Sequence, residues 1–460
     1  MDDRQFRAVL LLLIVLVSAF GLSLAFSQLT SSIRLPNTGY ISGYVIAKSG
    51  SAKDIQAAVN IAATSTDGIG NVQVPAGTYN FVNVGESWSA VNVPAGVSIF
   101  GASTQRYSNG SVISWNTVLV MPWDVPGNIN VVCPVWFSIV GSGNPNKSSR
   151  ISDIKLEGYR SLNSSSITMS VGISISSVMD FRVDHCCLEH ICCDGIATDG
   201  LNCRGVIDHC SIYNIYGWDD LGGYTDSNVG YGVVVQRDYH ASFDPTMNVL
   251  GKYTNYTIFI ENCYFSRWRH CVASGTGGYY VFRYNIVDYD LGHYSMDVHG
   301  VRTSGYAGGR GAEIYENTYL HVNQWIPATS APFYNVSRNS ANTSSEDYRD
   351  LFQDGGGCGV WFNNYVDTSY RSDGIALYTE DDIADPTWHL KDFYLWSTEG
   401  PWTHNSWNGP ISGFSGRNVA AYWSRIAGSY GNASYPNVDP SWSIAGYTPY
   451  AYPHPLTLGT

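Results

Sequence analysis

Six side chains between positions 270 and 313 are of the types that move protons or bind cations. They are His270, His293, Asp297, His299, Arg310 and Glu313. Histidine titrates near neutral pH and can remove a proton, and a guanidinium can stabilise the negative charge that develops when a proton leaves a carbon next to a carboxylate. Carboxylates could also hold Ca²⁺, which prefers oxygen ligands. The set therefore fits the chemistry of a polysaccharide lyase.

Two other interpretations stay open. A glycoside hydrolase needs a pair of carboxyl groups at a defined separation, and candidates for such a pair occur in the same stretch. These candidates are Asp288, Asp290, Asp297 and Glu313. In a purely structural role, Arg310 and Glu313 could form an ion pair that closes a turn. The sequence does not choose between these roles.

The spacing of the six residues predicts how they meet. His270 follows Asn262 by eight positions and His293 follows Asn285 by eight, so on stacked coils the two imidazoles are expected to lie about 5 Å apart. If Tyr294 to Val298 is a strand, Asp297 and His299 point to the same side, because alternate residues of a strand share a face.

A short unit recurs in this region and beyond it. The alignment places six residues in one column: His185, His209, Asn262, Asn285, Asn317 and Asn364. Each unit alternates apolar and polar residues, as a half-buried strand does, and a period of roughly 20 to 50 residues is typical of a stacked repeat. We therefore expect parallel strands of a solenoid, in which stacked asparagine amides satisfy buried backbone groups from coil to coil.

Composition agrees with a turn-rich aromatic β protein. The chain has 47 Gly, 33 Tyr and 14 Trp in 460 residues, and only 14% of its residues are charged. The formal net charge of −13 disfavours a nucleic-acid partner, since no basic stripe is available for phosphates. It would also repel a polyuronate, unless Ca²⁺ or a local group of arginines intervenes. A polysaccharide or a cell-surface glycan is the expected partner.

The beginning of the chain indicates export. Ala8 to Phe26 is an apolar or small-residue run preceded by Arg4 and Arg7. Residues 1–27 could be a cleaved signal peptide or an N-terminal membrane anchor, because the run is longer than most signal cores and near the lower limit for a membrane span. Both alternatives place the rest of the protein outside the cell or on its surface.

Ten cysteines suit an oxidising compartment. Three of them, Cys186, Cys210 and Cys263, share one register position. They could form a disulfide or a column of small buried thiols. The thiol column is favoured, because facing side chains on parallel strands rarely meet disulfide geometry without strain.

Segment by segment, the chain reads as one long solenoid with closed ends. Residues 28–50 are a linker or first strand, and 51–372 are the coils, with a loop insertion at 326–358. Residues 51–63 form a helix whose apolar face, centred on Ile55 and Val59, caps the first coil. Residues 373–460, rich in tryptophan and without a repeat, form a C-terminal cap.

Particular motifs resemble a known superfamily. Asp54–Val59 with Val74–Tyr79 resembles the N-terminal cap of the pectin lyase-like superfamily. Asp194–Gly195 with Val206–Ser211 is similar to segments of pectate lyases, but Ile207 stands where the family has tryptophan. The Arg-x-x-Pro-x-x-Arg motif that supplies the catalytic arginine of that family is absent from the sequence. The resemblance implies a fold over roughly two thirds of the chain, but not the lyase activity.

The sequence therefore predicts an all-β protein, a single-stranded right-handed parallel β-helix. Its function is expected to involve polysaccharide. It would be a lyase or glycoside hydrolase, or else a non-catalytic glycan-binding or envelope protein. A groove in which His270, His293, Asp297 and His299 converge would favour an enzyme, and dispersal of these side chains would favour a scaffold.

Overall fold

The computed structural model describes most of the solenoid and the end of the chain. The described residues are 40–41, 43–66, 70–83, 86, 89–108, 110–121, 135–158, 170–191, 193–213, 231–237, 250–266, 268, 270–288, 294–299, 308–320, 350–354, 357–366, 374–377, 392–396 and 447–458. Among these residues, no helix has both the length and the apolar character needed to cross a membrane. Residues 1–27, the expected signal peptide or anchor, lie outside them.

The described chain forms one α-helix, α1 (Ala52–Ala62), thirty-two strands and a short 3₁₀ turn at Pro455–Thr457. Strands β1 to β11 are Tyr40–Ile41, Tyr44–Ile46, Gly70–Gln73, Gly77–Asn80, Val91–Pro94, Val97–Phe100, Gln105–Arg106, Val112–Ser114, Thr117–Val120, Val135–Val140 and Arg150–Ser152. Strands β12 to β22 are Ile154–Glu157, Val171–Ser176, Met179–Asp184, Cys187–Glu189, Asp194–Asp199, Arg204–Asp208, Ser211–Tyr213, Tyr231–Val235, Thr257–Glu261, Tyr264–Ser266 and His270–Ser274. Strands β23 to β32 are Tyr279–Arg283, Ile286–Asp288, Tyr294–Val298, Gly311–Tyr315, Thr318–Leu320, Asp350–Asp354, Cys358–Phe362, Tyr365–Val366, Gly374–Leu377 and Asp392–Trp396.

These strands build three long sheets. Sheet A has twelve strands in the order β1-β2-β3-β6-β11-β14-β17-β20-β23-β26-β29-β32. Sheet B has nine strands, β4-β9-β12-β15-β18-β21-β24-β27-β30, and sheet C has nine, β5-β10-β13-β16-β19-β22-β25-β28-β31. Apart from β1 with β2, all pairs within these sheets are parallel, and each coil passes through C, A and B in turn. The protein is thus a right-handed parallel β-helix, as the sequence predicts.

The predicted capping helix is confirmed. Ser51 caps α1 by accepting a hydrogen bond from the backbone N–H of Asp54 at 3.2 Å. Its inward face is Ala52, Ile55, Ala58, Val59 and Ala62, all buried. The helix packs on β2, β3 and β5, so it covers the first coils of the stack.

The asparagine ladder exists, but part of the predicted alignment is wrong by one residue. Strand pairing aligns Asp208 with Glu261 and Glu261 with Arg283, so Asn285 stands level with Cys263 and not with Asn262. His185, His209 and Asn262 occupy the preceding corner, where all three have a positive φ of 52° to 56°. The alignment slipped because asparagine suits both the left-handed corner and the ladder behind it.

In the observed ladder, cysteine thiols occupy the position on three successive coils, and asparagine amides occupy it on the next three. The backbone N–H of Cys263 donates to Asn285 Oδ1 at 2.8 Å, and the N–H of Asn285 donates to Asn317 Oδ1 at 2.9 Å. Each amide nitrogen in turn donates to a carbonyl of the preceding coil, as Asn317 Nδ2 does to Phe282 at 2.9 Å. The thiols of Cys186, Cys210 and Cys263 also donate to carbonyls of the preceding coil. Cys186, Cys210 and Cys263 form no disulfide with one another, which confirms a thiol column at these positions.

Removing one rung of the ladder tests this role. Asn317→Ala is expected to lower the free energy of unfolding by about 1–3 kcal/mol, because buried backbone groups of Asn285 and Phe282 lose their partners. Urea unfolding measures the change. Asn60→Ala, which removes the same atoms from the exposed face of α1, should not destabilise the protein, because alanine has the higher helix propensity. Equal losses in both variants would contradict the ladder's role.

The last described residues lie along the flank of the solenoid. Residues 447–458, the C-terminal segment, cross the outer face of sheet A, where a second apolar cluster includes Phe259, Val281 and Val360. Arg283 donates to the carbonyl oxygens of Tyr450 and Ala451, both at 2.9 Å. Strand pairing reaches β32, so solenoid strands also occupy the start of region 373–460.

Candidate active site

Asp297 is the centre of the predicted site and lies on the outer face of sheet C. Its neighbours Met296 and Val298 belong to the solenoid core, so alternation directs the Asp297 side chain the other way. The pairing of Ala273 with Asp297 places it one coil beyond β22. Although it faces outward, Asp297 has no solvent exposure. A carboxylate buried in this way needs nearby cationic or hydrogen-bonding groups.

His299 supplies the first such group. Its Nε2 lies 2.8 Å from Asp297 Oδ2, which confirms that residues 297 and 299 point to the same side. The backbone N–H of His299 donates to the carbonyl of Ser274 at 2.8 Å, which fixes the end of β25 against the preceding coil. The His299 side chain keeps 18% of its surface exposed. It is thus held by a buried carboxylate and reaches solvent.

His270 supplies the second group from the preceding coil. Its Nε2 lies 3.6 Å from the same Asp297 oxygen, and its ring meets that of His299 edge to face, with centroids 6.3 Å apart. On its other side, His270 stacks on Tyr231 with centroids 5.3 Å apart. Only 1% of the His270 surface is exposed. One carboxylate therefore contacts two imidazoles, and the imidazole of His299 is the one that reaches solvent.

His293, the partner that spacing assigns to His270, lies outside the described residues. The pairing of Val272 with Met296 sets position 270 level with position 294, one residue after His293. His270 instead contacts Asp297, which the spacing did not predict.

Arg310 lies at the corner between sheets C and A. Its neighbour Gly309 donates from its backbone N–H to the carbonyl of His299 at 2.6 Å, so this corner adjoins the end of β25. The Arg310 guanidinium is 5.8 Å from the ring centroid of Tyr256, and that of Arg237 is 4.3 Å from the same ring. Two guanidinium groups thus share one aromatic ring.

Glu313 is placed elsewhere, on the outer face of sheet A. Its carboxylate accepts from the hydroxyl of Tyr279, from the backbone N–H of Gly251 at 2.6 Å and from the Tyr447 hydroxyl at 2.7 Å. Burial raises the pKa of Glu313 above its ordinary value. These bonds tie Glu313 to the C-terminal segment, and none of them joins it to Arg310.

The candidates for a hydrolytic pair are also separated. Asp297 lies on sheet C, Glu313 on sheet A and Asp288 on sheet B, where Asp288 accepts from the Tyr264 hydroxyl at 3.1 Å. Asp290 lies outside the described residues. Side chains on three different faces of a solenoid cannot flank one glycosidic bond.

Two short acid–imidazole contacts, at His185 and His209, involve residues that the sequence did not single out for chemistry. His185 Nδ1 lies 2.6 Å from Asp184, and His209 Nδ1 lies 2.8 Å from Asp208, with the two rings stacked 4.9 Å apart. Arg150 binds Asp184 through two bonds, and Arg182 binds Asp208 likewise. The signal was the Asp-His-Cys unit, which occurs twice, with its two copies starting 24 positions apart.

Burial alone would raise the pKa of Asp184, but hydrogen bonds from His185 and Arg150 hold it below its ordinary range. These contacts brace the corner between sheets A and B. Within the described ranges, no group of three or more His, Cys, Asp or Glu side chains is arranged to hold a metal ion. A Ca²⁺ site stays a prediction.

The C-terminal segment contains a histidine that is kept neutral. His454 is buried, its ring Nδ1 accepts from the backbone N–H of Leu456 at 3.2 Å, and its backbone N–H donates to Glu261 Oε1 at 2.9 Å. Burial, reinforced by the Arg283 guanidinium, lowers the pKa of His454 from 6.5 to about 4.

This shift predicts acid sensitivity. Because the folded-state pKa is depressed, the stabilising contribution of neutral His454 is complete above pH 6.5 and is lost as the pH falls towards 4. His454→Asn keeps an acceptor for Leu456 but does not titrate. Over this window, urea unfolding should show wild-type stability falling by up to about 3 kcal/mol relative to the variant. The raised pKa values of Glu261 and Glu313 act in the opposite direction in both proteins. Parallel curves would contradict the assignment.

No protein-family model matches the chain, and no curated protein matches it. Several solved structures are similar to it. A surface protein and adhesin of Streptococcus pneumoniae, PfbA, is 11% identical, with a TM-score of 0.41 over 77% of this chain and 83% of that one. An alginate lyase from Paenibacillus is 12% identical, with a TM-score of 0.35 over 76% of this chain and 97% of that one.

The Geobacillus virus E2 protein ORF18 is 11% identical, with a TM-score of 0.33 over 78% of this chain. This chain spans 62% of the length of that protein. The similarity to all three structures concerns the arrangement of the chain alone. The functions of those proteins do not carry over to it.

Proposed function

We propose that this protein is exported and acts on a polysaccharide by removing a proton from the carbon next to a sugar carboxylate. The observation that carries the proposal is the contact of 2.8 Å between the solvent-reaching His299 and the fully buried Asp297. A carboxylate next to one ring nitrogen orients the imidazole and raises its basicity, and an oriented imidazole of this kind is the usual general base in proteins. This is the arrangement that proton abstraction needs.

In the proposed reaction, His299 takes the proton from the sugar carbon. The electron pair of that C–H bond forms a carbon–carbon double bond, the neighbouring C–O bond breaks, and the leaving oxygen takes up a proton. Asp297 stabilises the imidazolium that forms. His270, which contacts the same carboxylate oxygen from the buried side, holds Asp297 in place.

Arg310 and Arg237 are the proposed source of positive charge. The backbone hydrogen bond from Gly309 to His299 supports this role for Arg310, because it joins the corner of Arg310 to the end of β25. A guanidinium stabilises the charge that moves onto the sugar carboxylate during proton removal. A local pair of arginines would also offset the electrostatic repulsion between a polyuronate and a protein of net charge −13.

Elimination is favoured over hydrolysis because the three described candidates for a hydrolytic pair, Asp288, Asp297 and Glu313, lie on separate sheets. The experiment is a screen of polyuronates and neutral polysaccharides with two readouts. Elimination produces an unsaturated sugar that absorbs ultraviolet light, whereas hydrolysis produces reducing ends without that absorbance. We expect absorbance with at least one polyuronate. Reducing ends without absorbance would overturn the proposed reaction.

Non-catalytic glycan binding is the second candidate. It is favoured by the burial of His270 and Arg310, whose exposed surfaces are 1% and 3%, so that His299 is the principal accessible group of the described cluster. A protein that binds a polysaccharide in the same screen and changes none would support this candidate.

A further inference from the structure

A row of outward-facing side chains, two of them large and exposed, runs along sheet B, on a different face from the candidate active site. Strand pairing stacks Tyr264, Ile286, Thr318 and Tyr365 on four successive coils. Ile286 is 43% exposed and Tyr365 is 46% exposed, and the half-buried Thr318 lies between them. We call this row, together with Tyr284 and Tyr452 at its edge, the tyrosine strip.

Polar contacts hold several of its rings in place. Tyr452 stacks on Tyr284 with ring centroids 3.7 Å apart, and its hydroxyl donates to Asn262 Oδ1 at 2.6 Å. The hydroxyl of Tyr264 donates to Asp288 at 3.1 Å. Rings that are already fixed lose little conformational freedom when a ligand binds, so Tyr264, Tyr284 and Tyr452 are preorganised.

The groups beside the rings are hydrogen-bond acceptors. Asn262, Asp288 and Glu316 lie in the adjoining positions of the same coils, and Glu316 accepts from Asn363 at 2.8 Å. The basic residue nearest in register, Arg283, is fully buried against Glu261 under the C-terminal segment. Among the residues of the strip that the structure describes, none is lysine or arginine. Such a surface suits a ligand that donates hydroxyl hydrogens and carries no negative charge.

The spacing of the strip suits an extended polymer. Successive coils are about 4.8 Å apart, a distance close to the length of one sugar unit in an extended chain. Pyranose rings also pack their apolar faces on aromatic rings. We propose that the tyrosine strip binds a neutral polysaccharide that runs along the solenoid axis. This site does not depend on the proposed reaction at Asp297 and His299, and it would keep the protein on a neutral glycan surface while sheet C remains accessible.

Affinity gel electrophoresis tests the proposal. The neutral probes are soluble β-glucan, mannan and xylan, and the anionic probes are alginate and polygalacturonate. Wild-type protein should be retarded by at least one neutral probe. Tyr365→Ala should weaken that binding about fivefold to tenfold, and addition of Ile286→Ala should weaken it further, because contact with the sugar faces is lost. Both side chains are exposed, so the variants should fold.

Tyr107→Ala is the matched control, because Tyr107 is 60% exposed on the hairpin β7–β8 and is not one of the residues of the strip. It should bind as wild type does. His299→Asn should also bind normally, so a failure of the proposed reaction can be told apart from a failure of this site. The proposal is overturned if no neutral probe retards the protein, if only the anionic probes do, or if Tyr107→Ala and Tyr365→Ala weaken binding equally. It is also overturned if sedimentation shows that Tyr365→Ala abolishes self-association and leaves glycan binding unchanged.

Discussion

His299→Asn is expected to lower kcat on the polyuronate identified by the screen by about 10²–10⁴-fold, the range that a positioned general base supplies. KM should change little, because the imidazole acts on one proton and contributes little to binding of the polymer. Asp297→Asn should also lower kcat, because neither His299 nor His270 is then held by a carboxylate. Steady-state kinetics on the purified variants, with folding checked by circular dichroism, measure both effects.

His209→Asn is the matched control for this prediction. It removes an imidazole that contacts Asp208 at 2.8 Å, but at the corner between sheets A and B. Asparagine suits this corner, since Asn262 occupies the equivalent position one coil later with φ 56°. Activity of His209→Asn should equal that of wild type. If both substitutions reduce kcat by the same factor, the loss reflects damage to the solenoid and not the removal of a base.

Arg283→Met is expected to lower the free energy of unfolding by about 3–5 kcal/mol, the usual effect of breaking a buried ion pair. Arg283 has no exposed surface and lies 2.7 Å from Glu261, which is also fully buried. The substitution leaves the Glu261 carboxylate without its cation and removes two bonds to the C-terminal segment. Urea unfolding followed by tryptophan fluorescence measures the loss.

Two further variants show whether this loss of stability comes from the buried ion pair. Arg106→Met breaks an ion pair with Asp153 in which the arginine side chain is 36% exposed, and should cost at most about 1 kcal/mol. Combining Arg283→Met with Glu261→Leu should recover part of the loss, because no buried charge then remains uncompensated. An additive double variant would show that the two residues do not interact in the folded protein.

The fold was predictable because its signals are periodic. The apolar face of residues 51–63 predicted the helix, and the alternation of apolar and polar residues predicted the strands. The repeat predicted that these strands stack on successive coils. The one-residue error in the ladder has a chemical origin. Asn262 takes the left-handed corner, and Asn285 takes the buried position behind it. A sequence alignment cannot separate two roles that the same side chain fills.

The candidate site was predictable only in part. Asp297 and His299 were expected on one side because they are two residues apart in one strand. The contact of His270 with Asp297 depends on which residues of β22 and β25 pair, and the repeat spacing did not fix that register. Glu313 follows Asp297 closely in sequence, but the corner at residues 308–310 carries the chain from sheet C to sheet A between them.

The C-terminal segment could not be placed from sequence. Its contacts join residues 134 to 274 positions apart, as in the bonds of Tyr447 to Glu313 and of Arg182 to Leu456. No repeat marks such contacts. They depend on the outer face of sheet A presenting buried charges and an apolar cluster that only a folded solenoid brings together.

The most direct test of the central claim is the mass of the products released from a polyuronate substrate, determined by mass spectrometry for wild type and for His299→Asn. Proton abstraction followed by elimination predicts wild-type oligosaccharides that are lighter by one water than hydrolysis products, and almost none from the variant. Products that carry the added water, or unsaturated products formed equally well by His299→Asn, would contradict the account.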